Sequence, residues 1–303
     1  MRRPPLLLAL LLLPACSPDY DFVRPVRFAV AGEPAEGQTI VQAGPTMQIT
    51  VKMESDSTDF DPTTVLRLVV NGVDRTADMT IGGEYAILTL DPPPIGTPQV
   101  AEVYQRTGDL VLDTATYEAT PYTGPLLLGV TPDTAEAGAE VTISGLGFAA
   151  GAVRVFFGGV EGAVTSSTDT AITATVPTGA VPGLLFVLVG DDTAVGLVPF
   201  LPVDGTGTPL PKPKDTWIFY VAPARGPRET VCTVAGLNFD EDAVSRVDNV
   251  KGTRAFNIQT VNFPLVGDVV TGYAVVSAYV DPGPTTFELL EHDDSNDLPF
   301  TVE

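Results

Sequence analysis

A self-overlap at an offset of 91 residues constrains this chain most, because it requires one folding unit to be built twice. At that offset Leu126-Leu127-Leu128-Gly129-Val130-Thr131-Pro132 falls on Trp217-Ile218-Phe219-Tyr220-Val221-Ala222-Pro223. The same shift carries Val141, Ile143, Gly145 and Phe148 to Cys232, Val234, Gly236 and Phe239. Both copies close alike, on Pro199-Phe200 and Pro299-Phe300. Phe148 to Phe200 spans 52 positions and Phe239 to Phe300 spans 61, so the second copy carries nine extra residues. Insertions of this kind are expected in surface loops.

The unit that repeats is made of strands. No helical apolar periodicity persists after the N-terminus, and 28 prolines with 29 glycines cut the chain into short Val-, Ile-, Thr- and Phe-rich runs. Short strands at that spacing read as β-sandwiches. Ahead of the repeat, Met47, Ile49, Val51 and Met53 alternate with polar neighbours, as a half-buried strand requires. Leu66, Leu68 and Val70 alternate again and run into Asn71-Gly72, which predicts a type I′ hairpin. Tyr85 to Leu90 and Val100 to Tyr104 supply further strands, and Pro92-Pro93-Pro94 belongs in a loop or at a sheet edge.

The first repeat copy resembles an IPT/TIG domain over residues 125–203. The resemblance rests on Val130-Thr131-Pro132, Val141-Thr-Ile143-Ser-Gly145-Leu-Gly147-Phe148, Val155-Phe-Phe157-Gly-Gly159-Val160, Ile172-Thr-Ala-Thr-Val176-Pro177 and the closing Phe200. It implies an immunoglobulin-like fold and, by analogy, a binding role. Residues 216–303 form a divergent copy that lacks the Phe-Gly-Gly turn and has Val247-Asp248-Asn249-Val250 nearby. Residues 25–121 read as another immunoglobulin-like sandwich. Residues 204–215, rich in Gly, Thr, Pro and Lys, read as a linker stiffened by Pro209, Pro211 and Pro213. The expected fold is all-β, three sandwiches in series.

The N-terminus has Arg2 and Arg3, an apolar run from Leu6 to Leu13, and Ala15 before Cys16, the order of a secretory signal. Leu13-Pro14-Ala15-Cys16 resembles the lipobox of bacterial lipoproteins, with Pro14 where that family has a small or β-branched residue. The resemblance implies a signal peptide at residues 1–15, cleavage before Cys16, and acylation (palmitate included) of that residue. Residues 16–24 would be the lipidated tether. The apolar run is far short of the roughly 20 residues that span a bilayer. Ser17 differs from the aspartate that resembles an inner-membrane retention signal, so the expected site is the cell envelope at the outer membrane.

Losing Arg2 and Arg3 takes the net charge from −22 to −24. A field of that sign repels nucleic acid and anionic headgroups. With 44% apolar residues the chain can still build a core. One histidine, His292, and one thiol beyond Cys16, Cys232, leave little for triad, Cys-His or multi-histidine zinc chemistry.

Other candidates are weaker than their structural readings. Gly145-Leu-Gly147-Phe-Ala-Ala-Gly151 superficially matches a dinucleotide fingerprint, yet Val153-Arg-Val155-Phe-Phe157 starts a strand where a helix is needed. Two acidic clusters are candidate calcium ligands, Asp56, Asp59 and Asp61 in one and Asp293, Asp294, Asn296 and Asp297 in the other. Neither has EF-hand spacing, and a solvated loop explains each. Trp217 could be a sugar platform, but its register opposite Leu126 favours a core or domain-junction position. The expected protein is a non-catalytic binding or structural module without cofactor, held to the membrane at Cys16, with a protein or glycan partner at the cell surface. A carbohydrate-binding accessory lipoprotein is the alternative, and an unrecognised hydrolase the remoter one.

Overall fold

The computed structural model describes residues 27–29, 40–43, 47–52, 63 and 66–303, apart from 83, 84, 92, 122 and 291–293. Cys16, Asp56, Asp59, Asp61, His292 and Asp293 lie outside the described residues. Among the described residues the regular structure is strand, with short 3-10 turns at Thr76–Asp78 and Phe148–Ala150.

The strands ahead of the repeat form two sheets. One joins Arg27–Ala29, Met47–Lys52, Tyr85–Leu90 and Thr80–Gly82. The other joins Ile40–Ala43, Val111–Pro121, Pro98–Gln105, Leu66–Val70 and Val73–Asp74. The alternation read in the sequence is the inward face: Ile49 lies opposite Leu88 and Val51 opposite Ala86, all buried. Asn71 and Gly72 both adopt positive φ, +51° and +77°, between paired Val70 and Val73. That is the backbone of a type I′ turn, which non-glycine residues other than Asn and Asp rarely supply.

The two repeat copies share backbone detail as well as strand order. Leu126 pairs with Leu146 and Trp217 with Leu237, and each first strand carries a bulge one step later, at Leu127/Gly129 and at Ile218/Tyr220. Thr131-Pro132 and Ala222-Pro223 are both cis. A short strand then crosses to run parallel with the last one, Thr134–Glu136 beside Leu201 to Val203 and Arg225–Gly226 beside Thr301 and Val302. Gly145 and Gly236 face the first strand so closely that a Cβ would stand 2.1 Å from the Leu126 carbonyl oxygen or 2.0 Å from that of Trp217. Gly147 has positive φ, and Asn238, its counterpart, keeps the left-handed conformation with its amide bonded to the carbonyls of Pro213 and Asp215.

The Phe-Gly-Gly turn survives in the second copy under different residues. Gly158-Gly159 and Asp248-Asn249 have positive φ at both positions, and each closes a hairpin, Phe157 to Val160 and Val247 to Val250. The extra residues of the second copy are not a loop. They lengthen an antiparallel hairpin, Phe256–Phe263 against Gly267–Val275, whose counterpart pairs Ala163–Ser167 with Ile172–Thr175. Strand pairing satisfies the inserted backbone, and Val266, Phe263 and Leu265 pack its tip onto the core.

Cys232 takes the inward place that Val141 holds in the first copy. It pairs with Ala274 as Val141 pairs with Ala174, is fully buried, and its thiol donates to the Pro223 carbonyl at 3.6 Å. Such a thiol behaves as a small apolar side chain. In the native protein Cys232 is expected to react slowly with a thiol reagent and quickly after denaturation. Cys232→Val is expected to change the unfolding free energy by less than about 1.5 kcal/mol in denaturant titration.

Candidate functional site

The strand Gly183–Val189, with sequence GLLFVLV, is buried at every position. Alternate side chains explain this. Leu185, Val187 and Val189 belong to the sandwich's own core with Val155, Phe157 and Phe200. Leu184, Phe186 and Leu188, with Phe156 beside them, point the other way into a cluster shared with Ile218, Phe219 and Tyr220 of the next sandwich. A strand covered on both faces reads as an unbroken apolar run. The Phe186 and Tyr220 rings meet edge to face at 5.8 Å, and Phe156 lies 5.3 Å from Phe186.

Polar groups fix the register of this junction. The Trp217 indole N–H donates to the Gly158 carbonyl at 2.7 Å, and the Thr193 hydroxyl to the Val221 carbonyl at 3.0 Å. Arg225 reaches Asp192 at 2.8 Å. Asn296 holds Ile218 in the manner of a neighbouring strand, its Oδ1 accepting from the Ile218 N–H at 2.7 Å and its Nδ2 donating to the Ile218 carbonyl at 3.0 Å. Two glycines let the sandwiches approach: a Cβ on Gly159, in the turn, would stand 2.6 Å from Asn296 Nδ2, and one on Gly183, at the start of its strand, 2.5 Å from the Phe219 ring.

The second copy replaces this apolar face with charge. Phe156 pairs with Phe186 across the strands, and the corresponding cross-strand pair in the second copy is Arg246 and Glu288. Arg246 binds both oxygens of buried Glu288 and also Asp294 at 2.9 Å. These hydrogen bonds, Glu288 first, raise the Arg246 pKa against the opposing effect of burial. Partial desolvation, then the charge of Glu288, pushes the Asp297 carboxyl above the usual carboxylate range although the residue is largely exposed.

Of the described members of the second acidic cluster, Asp294 is engaged with Arg246 and Asn296 with Ile218. Among the described residues no group of three or more His, Cys, Asp or Glu side chains could hold a metal ion. Trp217 sits at the domain junction. Gly145 to Gly151 turns between strands through the 3-10 turn Phe148–Ala150. The two-sided run at 183–189 was the signal for the junction, being too long and too uniformly apolar for a strand with one wet face.

A second contact joins the sandwich of residues 217–303 to the N-terminal one. Ile87, which faces outward from its own sheet, is buried against Val231, Phe256 and Val275, and Thr89 lies 3.4 Å from the Tyr273 hydroxyl. The last sandwich thus touches both of the others. The connecting segment is pinned as well. Asp204 accepts from the backbone of Thr206 and Thr208, Leu210 bonds to Pro202, and Lys212 donates to the Asp268 carbonyl.

Residues 125–200 match the family model of the IPT/TIG domain. This segment is an IPT/TIG domain. Among solved structures, the plexin A4 extracellular region is 17% identical with a TM-score of 0.24, over 83% of this chain and 22% of that one. SGBP-B of the Bacteroides ovatus mixed-linkage glucan utilization locus, in complex with a mixed-linkage heptasaccharide, is 13% identical with a TM-score of 0.26, over 92% and 71% of the two chains. SGBP-B of Bacteroides uniformis is 20% identical with a TM-score of 0.22, over 59% and 49%. The chain thus spans about a fifth of the plexin chain. No curated protein matches the sequence.

Three measurements test the site. Phe186→Ala, which empties the outer face of the TIG domain, is expected to cost about 3–5 kcal/mol. A double-mutant cycle with Tyr220→Ala should return a coupling of about 0.5–1.5 kcal/mol across the junction. Asp297→Asn tests the charge cluster. A raised folded pKa contributes stability at acid pH that is lost as pH rises through it. The variant should therefore be more stable than the parent at neutral pH, by less than about 1 kcal/mol because the group is exposed, and the gap should close at acid pH.

Proposed function

We propose that this chain is a lipid-anchored module of a bacterial cell envelope, displayed at the outer membrane, whose work is binding or structural spacing without catalysis or cofactor. The observation that carries this reading is the burial of Gly183–Val189 on both faces. It commits one sheet face of the TIG domain to the first strand of the next sandwich and so fixes the two modules against each other, an arrangement suited to holding exposed loops at fixed positions. The TIG match at residues 125–200 supports it by analogy. No helix among the described residues is long and apolar enough to cross a membrane, and Leu13-Pro14-Ala15-Cys16 supports attachment through lipid at Cys16.

A glycan partner is the second reading, favoured by Tyr279. Its ring is 85% exposed on the loop between Gly267–Val275 and Gly283–Leu290. Aromatic rings gain by stacking on apolar faces, and an exposed one has that face free. Affinity electrophoresis in envelope polysaccharide, parent against Tyr279→Ala, separates the readings: retardation lost with the ring supports a glycan, and equal mobility in its presence and absence rejects it.

The anchoring itself is tested on membrane-extracted protein. Intact mass should correspond to residues 16–303 plus acyl chains, and Cys16→Ser should release the chain or leave it unprocessed. An unmodified soluble product would refute the reading. Turnover of a glycan, peptide or ester substrate, abolished by replacing a single carboxylate or His292, would overturn the non-catalytic assignment.

A further inference from the structure

The N-terminal sandwich presents apolar side chains at the end where the tether enters. Leu110, Val111 and Leu112, at the turn between Pro98–Gln105 and Val111–Pro121, are 59%, 41% and 40% exposed. The turn is a fixed feature. Arg67 donates to the Gly108 carbonyl at 3.2 Å and pairs with Asp109 at 3.3 Å, while its guanidinium stacks 4.3 Å above the Tyr104 ring. Asp109 is thereby paired, and exposed Arg106 adds a positive charge beside it.

Strand directions place the chain's entry at this same end. Ile40–Ala43 runs parallel to Val111–Pro121, with Ala43 beside Pro121 at the far end. Only three residues separate Ala43 from Met47, too few to cross the length of the sandwich, so the strand Met47–Lys52 in the facing sheet starts at that far end. Arg27–Ala29 runs antiparallel to Met47–Lys52, so it starts where Val111 starts. The TIG domain shows the same layout directly, with Leu126 at the start of its first strand beside Val195, just ahead of its last.

From these observations we propose that the turn carrying Leu110, Val111 and Leu112 is a membrane-resting surface, in contact with the headgroup layer of the leaflet that holds the lipid anchor. The proposal rests on the anchoring of Cys16. Residues 17–26 span at most about 36 Å fully extended, which holds the entry end near the bilayer. The opposite end, where Ile95 is exposed, stands about 24 Å farther along an eight-residue strand. A partly apolar tip at the interface gains from burial without spanning the membrane. The net charge of the chain directs the contact to zwitterionic headgroups and away from anionic ones.

The test uses the full lipidated chain, reconstituted in phosphatidylcholine vesicles that contain headgroup spin-labelled lipid. A fluorophore is attached at Leu110→Cys or, separately, at Val111→Cys, with Ile95→Cys as the reference at the other end; Cys232 is buried and stays unlabelled. Quenching severalfold stronger at 110 and 111 than at 95 is the expected result. Equal quenching at both ends in protein that floats with the vesicles overturns the resting surface while leaving the anchor intact. Protein that fails to float removes the anchor, and the proposal falls with it.

Discussion

The apolar contact between Leu184, Phe186 and Leu188 of one sandwich and Ile218, Phe219 and Tyr220 of the next is the constraint on which the arrangement of this protein depends. Each of these side chains is worth about 1.5–3 kcal/mol when removed from water. In an isolated TIG domain the first three, with Phe156, would face solvent. The TIG domain and its divergent copy are therefore separate in sequence and joined in energetics: the outer face of one becomes part of the core cluster of the other.

Repetition makes the logic of that face visible. The backbone plan is held constant down to the bulge in the first strand, the glycine under it and the left-handed residue two positions on. What changes between copies is the chemistry of the outward positions. Where a neighbour covers the sheet the cross-strand pair is Phe156 and Phe186; in the second copy it is Arg246 and Glu288. A strand's inward residues specify the fold and its outward residues specify what lies against it, and period-two geometry lets the two vary independently.

Much of the fold was legible because sandwiches depend on local signals. Alternation placed Ile49 and Val51 inward, Asn71-Gly72 formed the expected turn, and the offset put Cys232 in the place of Val141. The divergent middle of the second copy was opaque, since Asp248-Asn249 adopts the same backbone as Gly158-Gly159 without sharing a residue with it. The extra residues were expected in loops and instead extend a hairpin, because an inserted pair of strand residues can satisfy each other's hydrogen bonds. Trp217 at the junction was foreseeable from register; its partner, the Gly158 carbonyl, was not, since contacts between modules leave no periodic trace. The packing of Ile87 on Val231 was hidden for the same reason.

The contacts of the last sandwich with both of its companions separate the order of the chain from the order in space. Covalent continuity through residues 204–215 is then not what keeps the modules together. A protease that nicked this segment would leave two fragments still associated through Phe186, Tyr220 and Trp217 on one side and Ile87 on the other, and a backbone cut would pass unnoticed until the fragments were denatured.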